Sequence, residues 1–158
     1  SRFKGDERPR EMVSWYDALA FANWLSSQTG LRFTLPSAAQ WQRAFQGDDE
    51  RLYPWGNSYE PDHCNTAESA VKMTTIVTRY PKGVSAFGVY DMAGNVWEWC
   101  IDGNLSANDP LNIAMHQKRI VRGGSFMSSH QRALVSFHYE LVPESYHASI
   151  GFRLAQNF

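Results

Sequence analysis

The chain has 158 residues, a formal net charge of −1, and 14% aromatic residues with six Trp among them. That length suits one domain, and a near-neutral balance gives no electrostatic pull toward nucleic acid or anionic lipid. No apolar run is long enough to span a bilayer and no signal-peptide pattern is present, so the sequence leaves the compartment unassigned.

Residues 1–10 are charged, contain a proline and read as a lead-in. From Ser14 the apolar residues recur near helical spacing. Trp15, Leu19, Phe21, Ala22 and Leu25 predict a helix at about 15–28, with Ser14 as N-cap, Asp17 in the first turn and Gly30 as its stop. Trp15, Phe21 and Trp24 are expected to pack in the core. Leu31-Arg32-Phe33-Thr34-Leu35 alternates like a short strand and Pro36 ends it. Ser37 then caps a second predicted helix at about 38–46, with Trp41 and Phe45 on one face. Tyr53-Pro54-Trp55-Gly56-Asn57 is a rigid aromatic turn. Residues 57–87 show no helix-length periodicity and are punctuated by Pro61, Pro81, Gly83 and Ser85, a loop-dominated stretch of the kind that carries function or ion-stabilised structure. Within it, His63-Cys64-Asn65 makes a poor transition-metal set, because three adjacent residues cannot all point at one ion. The two cysteines, Cys64 and Cys100, could pair or stay free; they form neither a disulfide framework nor a zinc pattern.

The most informative stretch is Gly88-Val89-Tyr90-Asp91-Met92-Ala93-Gly94-Asn95-Val96-Trp97-Glu98-Trp99. Two acids, Asp91 and Glu98, flank a turn-forming Gly94-Asn95 pair. Both carboxylates and the turn carbonyls can converge on one point, giving the all-oxygen cage that calcium prefers; equally, the acids can serve in capping or a salt bridge. If the segment is extended, Trp97 and Trp99 share a strand face. A polar loop follows through Asp109-Pro110. Arg119-Ile120-Val121-Arg122 alternates as a strand into Gly123-Gly124-Ser125-Phe126, and Ile150-Gly151-Phe152-Arg153-Leu154 reads as a closing strand. Residues 127–149 between them are irregular. Ser128, Ser129, His130, Tyr139, Glu140, Ser145, Tyr146 and His147 have the composition of an adaptable binding face, for which Trp97 and Phe126 would be the floor. Leu134, Phe137 and Leu141 are as well explained by core packing.

These motifs carry a family resemblance. GVYDMAGNVWEW resembles the central signature of the formylglycine-generating enzyme (sulfatase-modifying factor) family, and RGGSF followed by IGFRLA resembles its second. VSWYDA, TLPSAAQW and YPWGN occur in the family's order, so the likeness runs over about residues 10–156. It implies an α+β, C-type-lectin-like fold with two short helices, short antiparallel strands and long loops. The family's opening strand, with a glycine-rich motif and a methionine, is absent from these residues, so a shortened domain or a trimmed piece of a longer protein is expected. The resemblance further implies a structural calcium ion on Asp91, Gly94, Val96 and Glu98. A second calcium site would involve Asn65, with Ser69 where the family's enzymes have an acid and Glu68 beside it.

Enzymes of the family oxidise a substrate cysteine with copper held by two thiolates, which suit Cu(I). The matching positions here are Ser128 and Ala133, so no copper and no formylglycine generation are expected. His130, His138 and His147 lie in the same segment as Ser128 and Glu144, but a serine–histidine nucleophile pair there lacks a nucleophile elbow or oxyanion motif. The histidine set of the related sulfoxide synthases is not seen either. The expected function is therefore non-catalytic binding of a protein or small-molecule ligand by residues 127–149, with no nucleic acid and no membrane span. Variable proteins of diversity-generating retroelements are similar in placing their hypervariable segment between the same two motifs. The alternative is an enzyme or enzyme accessory whose cleft takes a peptide or small molecule.

Overall fold

The computed structural model describes residues 1–103 and 117–157; the polar loop expected through Asp109-Pro110 lies outside them. Helix α1 is Trp15–Thr29 and α2 is Ala38–Gln46. Both open on a reciprocal capping box. Ser14 Oγ accepts from Asp17 N–H while Asp17 accepts from Ser14 N–H at 2.9 Å, and Ser37 and Gln40 repeat the arrangement. Gly30 closes α1 in the left-handed region, at φ 72°.

One expectation about α1 fails. Its buried stripe is Trp15, Ala18 and Ala22, whereas Phe21 is 42% and Trp24 54% exposed. At about 100° per residue, Trp24 falls half a turn round the helix from Trp15. Phe21 sits on the flank, against Trp24 and Phe152. The aromatic residues alone were a poor guide to which side faces inward; the alanines mark the close-packed side.

The strands are β1 (Arg32–Thr34), β2 (Trp97–Gly103), β3 (Arg119–Arg122), β4 (His138–Leu141), β5 (Ile150–Phe152) and β6 (Ala155–Asn157). The larger sheet has the order β4-β3-β2-β5, and β1 pairs with β6 in a separate two-stranded sheet. Pairing is antiparallel except between β2 and β5, which run parallel, so the expectation of antiparallel strands holds for all pairs but one. Strand β4 and the tail strand β6 have no alternating apolar signal and were not foreseen. Residue 11 forms an antiparallel bridge to Gly151 beyond β5.

The larger sheet separates two apolar clusters. Toward α1 lie Trp97, Trp99, Val121 and Ile150, with Trp15, Ala18 and Leu35. Toward α2 lie Cys100, Met92 and Ala93, with Trp41 and Phe45. Trp97 and Trp99 thus share a face, as two-residue spacing requires of a strand. Each indole finds a polar partner: Trp99 Nε1 donates to Val13 O at 3.1 Å and Trp15 Nε1 to Cys100 O at 2.9 Å. These bonds tie α1 and its lead-in to the central strand.

The loop that enters β2 is held by close backbone approach. Gly94 has φ 78°, and a Cβ there would lie 2.3 Å from Asn65 O. Gly94 N–H donates to Gly123 O at 2.7 Å and Asn95 N–H to Asn65 O at 2.8 Å. Only glycine fits a position that needs both a positive φ and a backbone as neighbour.

Candidate functional site

The site grows out of residues 88–98. Asp91 and Asn95 both sit in the left-handed region, at φ 60° and 63°, which Asn and Asp tolerate better than most residues. Asn95 is the hub. Its Nδ2 donates to Asp91 Oδ2 at 2.6 Å and to Thr75 O at 3.1 Å. Its Oδ1 accepts from Thr75 N–H at 2.9 Å and Asn65 Nδ2 at 3.2 Å. Its carbonyl accepts from Phe126 N–H at 3.1 Å. The Asn95 side chain therefore joins the 65–75 loop to the acidic turn, and its backbone carbonyl holds Phe126, just ahead of residues 127–149. The sequence marks Asn95 only as a turn former, because a turn asparagine carries no signal of what it bonds.

Glu98 projects to the α2 side of β2, nearly buried, and meets a cation of the protein itself. Arg153 Nε donates to Glu98 Oε2 and Arg153 Nη2 to Glu98 Oε1, each at 2.6 Å, while Trp41 Nε1 also donates to Oε2 at 2.5 Å. Arg153 Nη2 further reaches the carbonyls of Tyr90 and Asp91 at 3.2 Å. Burial pushes the guanidinium's pKa down, and the Glu98 charge more than offsets this and holds it up. The salt-bridge role weighed for these acids is thus realised at Glu98. From the sequence alone Arg153 is only part of a closing strand.

Asp91 differs. Burial, helped by the Glu98 charge and opposed by the Asn95 bond, pushes its carboxyl up to about 7. Asp91, Val96 and Glu98 line one cavity of about 320 Å³ with Tyr90, Phe152 and Arg153. The donor set is all oxygen, as calcium requires. Three hydrogen bonds leave Glu98 one of its roughly four lone-pair positions. Asp91, short of positive charge, is the carboxylate with capacity to spare. An ion here would take Asp91 as its principal ligand and would share Glu98 with Arg153. At the second site, Asn65 spends its amide on Met73 O, Asn95 and Ser69, which leaves little for a metal.

Residues 127–149 do not form one continuous face. Ser128 is buried, its Oγ 3.0 Å from Ser125 Oγ. Following it, Ser129 leads into a short turn of 3-10 helix, and His130 is locked: Nδ1 lies 2.8 Å from Tyr53 Oη, the ring stacks on Tyr59 at 4.2 Å, and its N–H donates to Glu68. On β4, Tyr139 packs on Trp97 at 5.0 Å under the Arg132 guanidinium, while Glu140, its neighbour, faces the opposite side of the sheet. Ser145 and His147 lie in the turn that presents Tyr146, 64% exposed. His147 Nδ1 is 2.8 Å from Ser149 Oγ. Trp97 packs against Tyr139. Phe126, buried, instead meets Phe3 edge-on at 5.6 Å, so the two floor residues serve different neighbours.

Both cysteines are free and buried, 2% and 0% exposed, and burial pushes each thiol up to about 12. Ala133 is buried against Gly124.

Residues 2–158 match the model of the sulfatase-modifying factor enzyme 1-like domain. The chain is 33% identical over 171 residues to the formylglycine-generating enzyme of Thermomonospora curvata, covering 90% of this chain and 54% of that protein. To the inactive C-alpha-formylglycine-generating enzyme 2 of Bos taurus it is 30% identical, covering 94% of the chain and 50% of the relative. It thus spans about half the length of these relatives. Its fold superposes on Treponema denticola variable protein 1 with a TM-score of 0.82 at 25% identity, covering 94% of this chain and 70% of the other. The chain belongs to the sulfatase-modifying factor, or formylglycine-generating enzyme, family and has that family's C-type-lectin-like fold.

Proposed function

We propose that the domain binds a protein or small-molecule ligand without catalysing a reaction on it. The observation that carries this is the state of its sulfur. Soft-metal oxidation chemistry needs accessible thiolates, and both thiols here are core groups with pKa near 12. The positions after the Gly-Gly-Ser turn are Ser128 and Ala133. The family's inactive member and the variable protein among the structural neighbours are consistent with a retained scaffold and a changed role. The face centres on the exposed Tyr146 turn and the Trp97–Tyr139 contact, while His130 is held rigid separately by Tyr53, Tyr59 and Glu68. In this reading residues 127–149 are a replaceable insert between two fixed strands, as in a retroelement-diversified receptor. Calcium held by Asp91, with Glu98 and the Gly94 and Val96 carbonyls, would stiffen the 91–98 loop, whose Asn95 carbonyl holds Phe126 N–H; the cavity that Asp91, Val96 and Glu98 share and the raised Asp91 carboxyl support this.

The test is direct. Purified protein supplied with Cu(I) and oxygen is incubated with a cysteine-containing peptide, and mass spectrometry follows the cysteine. No formylglycine is expected, and its formation overturns the proposal. Sequencing residues 125–153 across sister isolates tests diversification, which predicts substitutions clustered at a few codons between fixed flanks.

A further inference from the structure

Residues 1–9 run as a strap across the 74–77 loop. Val77 N–H donates to Glu7 O at 3.0 Å, and Arg8 Nη1 reaches Thr74 Oγ1 at 3.4 Å. Of residues 1–7 only Phe3 is not exposed. Its ring stands edge-on against buried Phe126, and its backbone N–H donates to Glu11 Oε1 at 2.9 Å.

Glu11 is the anomaly. It is 0% exposed, yet among the described residues no cationic side chain is paired with it and its Oε2 has no hydrogen-bond partner. A buried carboxylate oxygen without a donor bears its desolvation penalty uncompensated. Glu11 is fixed in place by its bridge to Gly151 and by the Met12 N–H to His147 O bond. A second orphan, Thr75 Oγ1, lies in the loop under the strap. Thr75 N–H bonds Asn95, whose carbonyl holds Phe126. Phe3 therefore supplies an aromatic ring and one N–H to a seat that has room in its bonding for more donors.

We propose that this seat is a binding site for an aromatic residue of a peptide, and that residues 1–9 are its intramolecular occupant, exchanged for the ligand. The Phe126 ring receives the aromatic side chain, and Glu11 accepts N–H donors from the ligand's backbone or amine. The inference goes beyond the binding face described above, because neither Phe3 nor Glu11 belongs to residues 127–149. A tethered occupant competes at a high effective concentration, commonly millimolar for a short connection. Removing its anchor raises the apparent affinity of a free peptide in proportion.

The experiment compares the wild type with Phe3→Ala, titrated calorimetrically with the tripeptide amides Arg-Phe-Lys and Arg-Ala-Lys. Phe3→Ala is expected to bind the Phe peptide at least about tenfold tighter than the wild type does, with no such gain for the Ala peptide. Glu11→Gln added to Phe3→Ala should remove most of the gain. If folded Phe3→Ala binds the Phe peptide no better than the wild type, or binds both peptides alike, the proposal is overturned. Should Phe3→Ala fail to fold, hydrogen exchange on the wild type decides. A Phe3 amide that exchanges as slowly as Trp99 marks the strap as core and overturns the exchange. An amide faster by about a hundredfold or more sustains it, as local opening well below global unfolding requires. Loss of ligand binding on Tyr146→Ala would bear on residues 127–149 alone, so the two readings fail separately.

Discussion

Arg153→Met tests how residues 88–98 are held. The arginine side chain is 22% exposed and its partner Glu98 6%, so solvent screens the pair weakly. The substitution keeps most of the apolar stem. It removes two charge-assisted bonds at 2.6 Å and two contacts to the Tyr90 and Asp91 carbonyls. Breaking one side of a buried pair costs about 3–5 kcal/mol, mostly because the remaining charge is stranded. For a domain of this size that is a fall in Tm of roughly 6–20 °C. Glu98→Gln removes the charge but can still accept from Trp41. In the double variant nothing is stranded, and urea denaturation should show the double change costing about 2 kcal/mol less than the sum of the singles. Additive singles, or a cost below about 1 kcal/mol for Arg153→Met, would refute the view that this guanidinium is the loop's resident cation.

Three further outcomes are expected. Asp91 titrates near 7 when folded against 3.8 when free, so its stabilising contribution is full below pH 3.8 and lost as pH rises to about 7. In chelator at pH 8, Asp91→Asn should therefore gain roughly 2–4 kcal/mol over the wild type in urea melts, the gap closing toward pH 4; added calcium should stabilise the wild type and not the variant. Gly94→Ala places a Cβ against Asn65 O at φ 78° and should cost about 2 kcal/mol or more, read as a shifted denaturation midpoint. A thiol reagent at pH 8 should find neither cysteine in the native protein and both after guanidinium unfolding.

What the sequence made legible was chiefly local. Ser14 and Ser37 announce their helices because capping is a contest settled within four residues, and both helix starts fall where the caps put them. The Trp97/Trp99 face and the Arg119–Arg122 and Ile150–Phe152 strands follow from two-residue alternation and flanking glycines. The site was legible in part. The acids of the turn were visible, but the arginine that answers Glu98 lies 55 residues away, and nothing near either residue encodes the meeting. The same limit hid Asn95 as a hub and Glu11 as a buried acid. Strand β4 escaped because pairing to β3 alone makes His138–Leu141 a strand, and its side chains alternate between faces that are both half covered.

The pairing of β5 with β2, parallel, and of β6 with β1, antiparallel, has a consequence for how the molecule comes into being. Residues 150–157 supply an edge to each sheet, one beside an element 53 residues earlier and the other beside strand Arg32–Thr34. Neither sheet can close until those residues have left the ribosome. Until then Trp97, Trp99 and Arg32–Thr34 lack their neighbours. Folding here is gated by the arrival of distant chain, which slows it and lengthens the time that apolar strands stand unpaired. A chain truncated after residue 149 would keep every residue of the binding segment and both capped helices. It would have no Arg153 for Glu98 and no strand to close either sheet, and the expected product is an aggregating one.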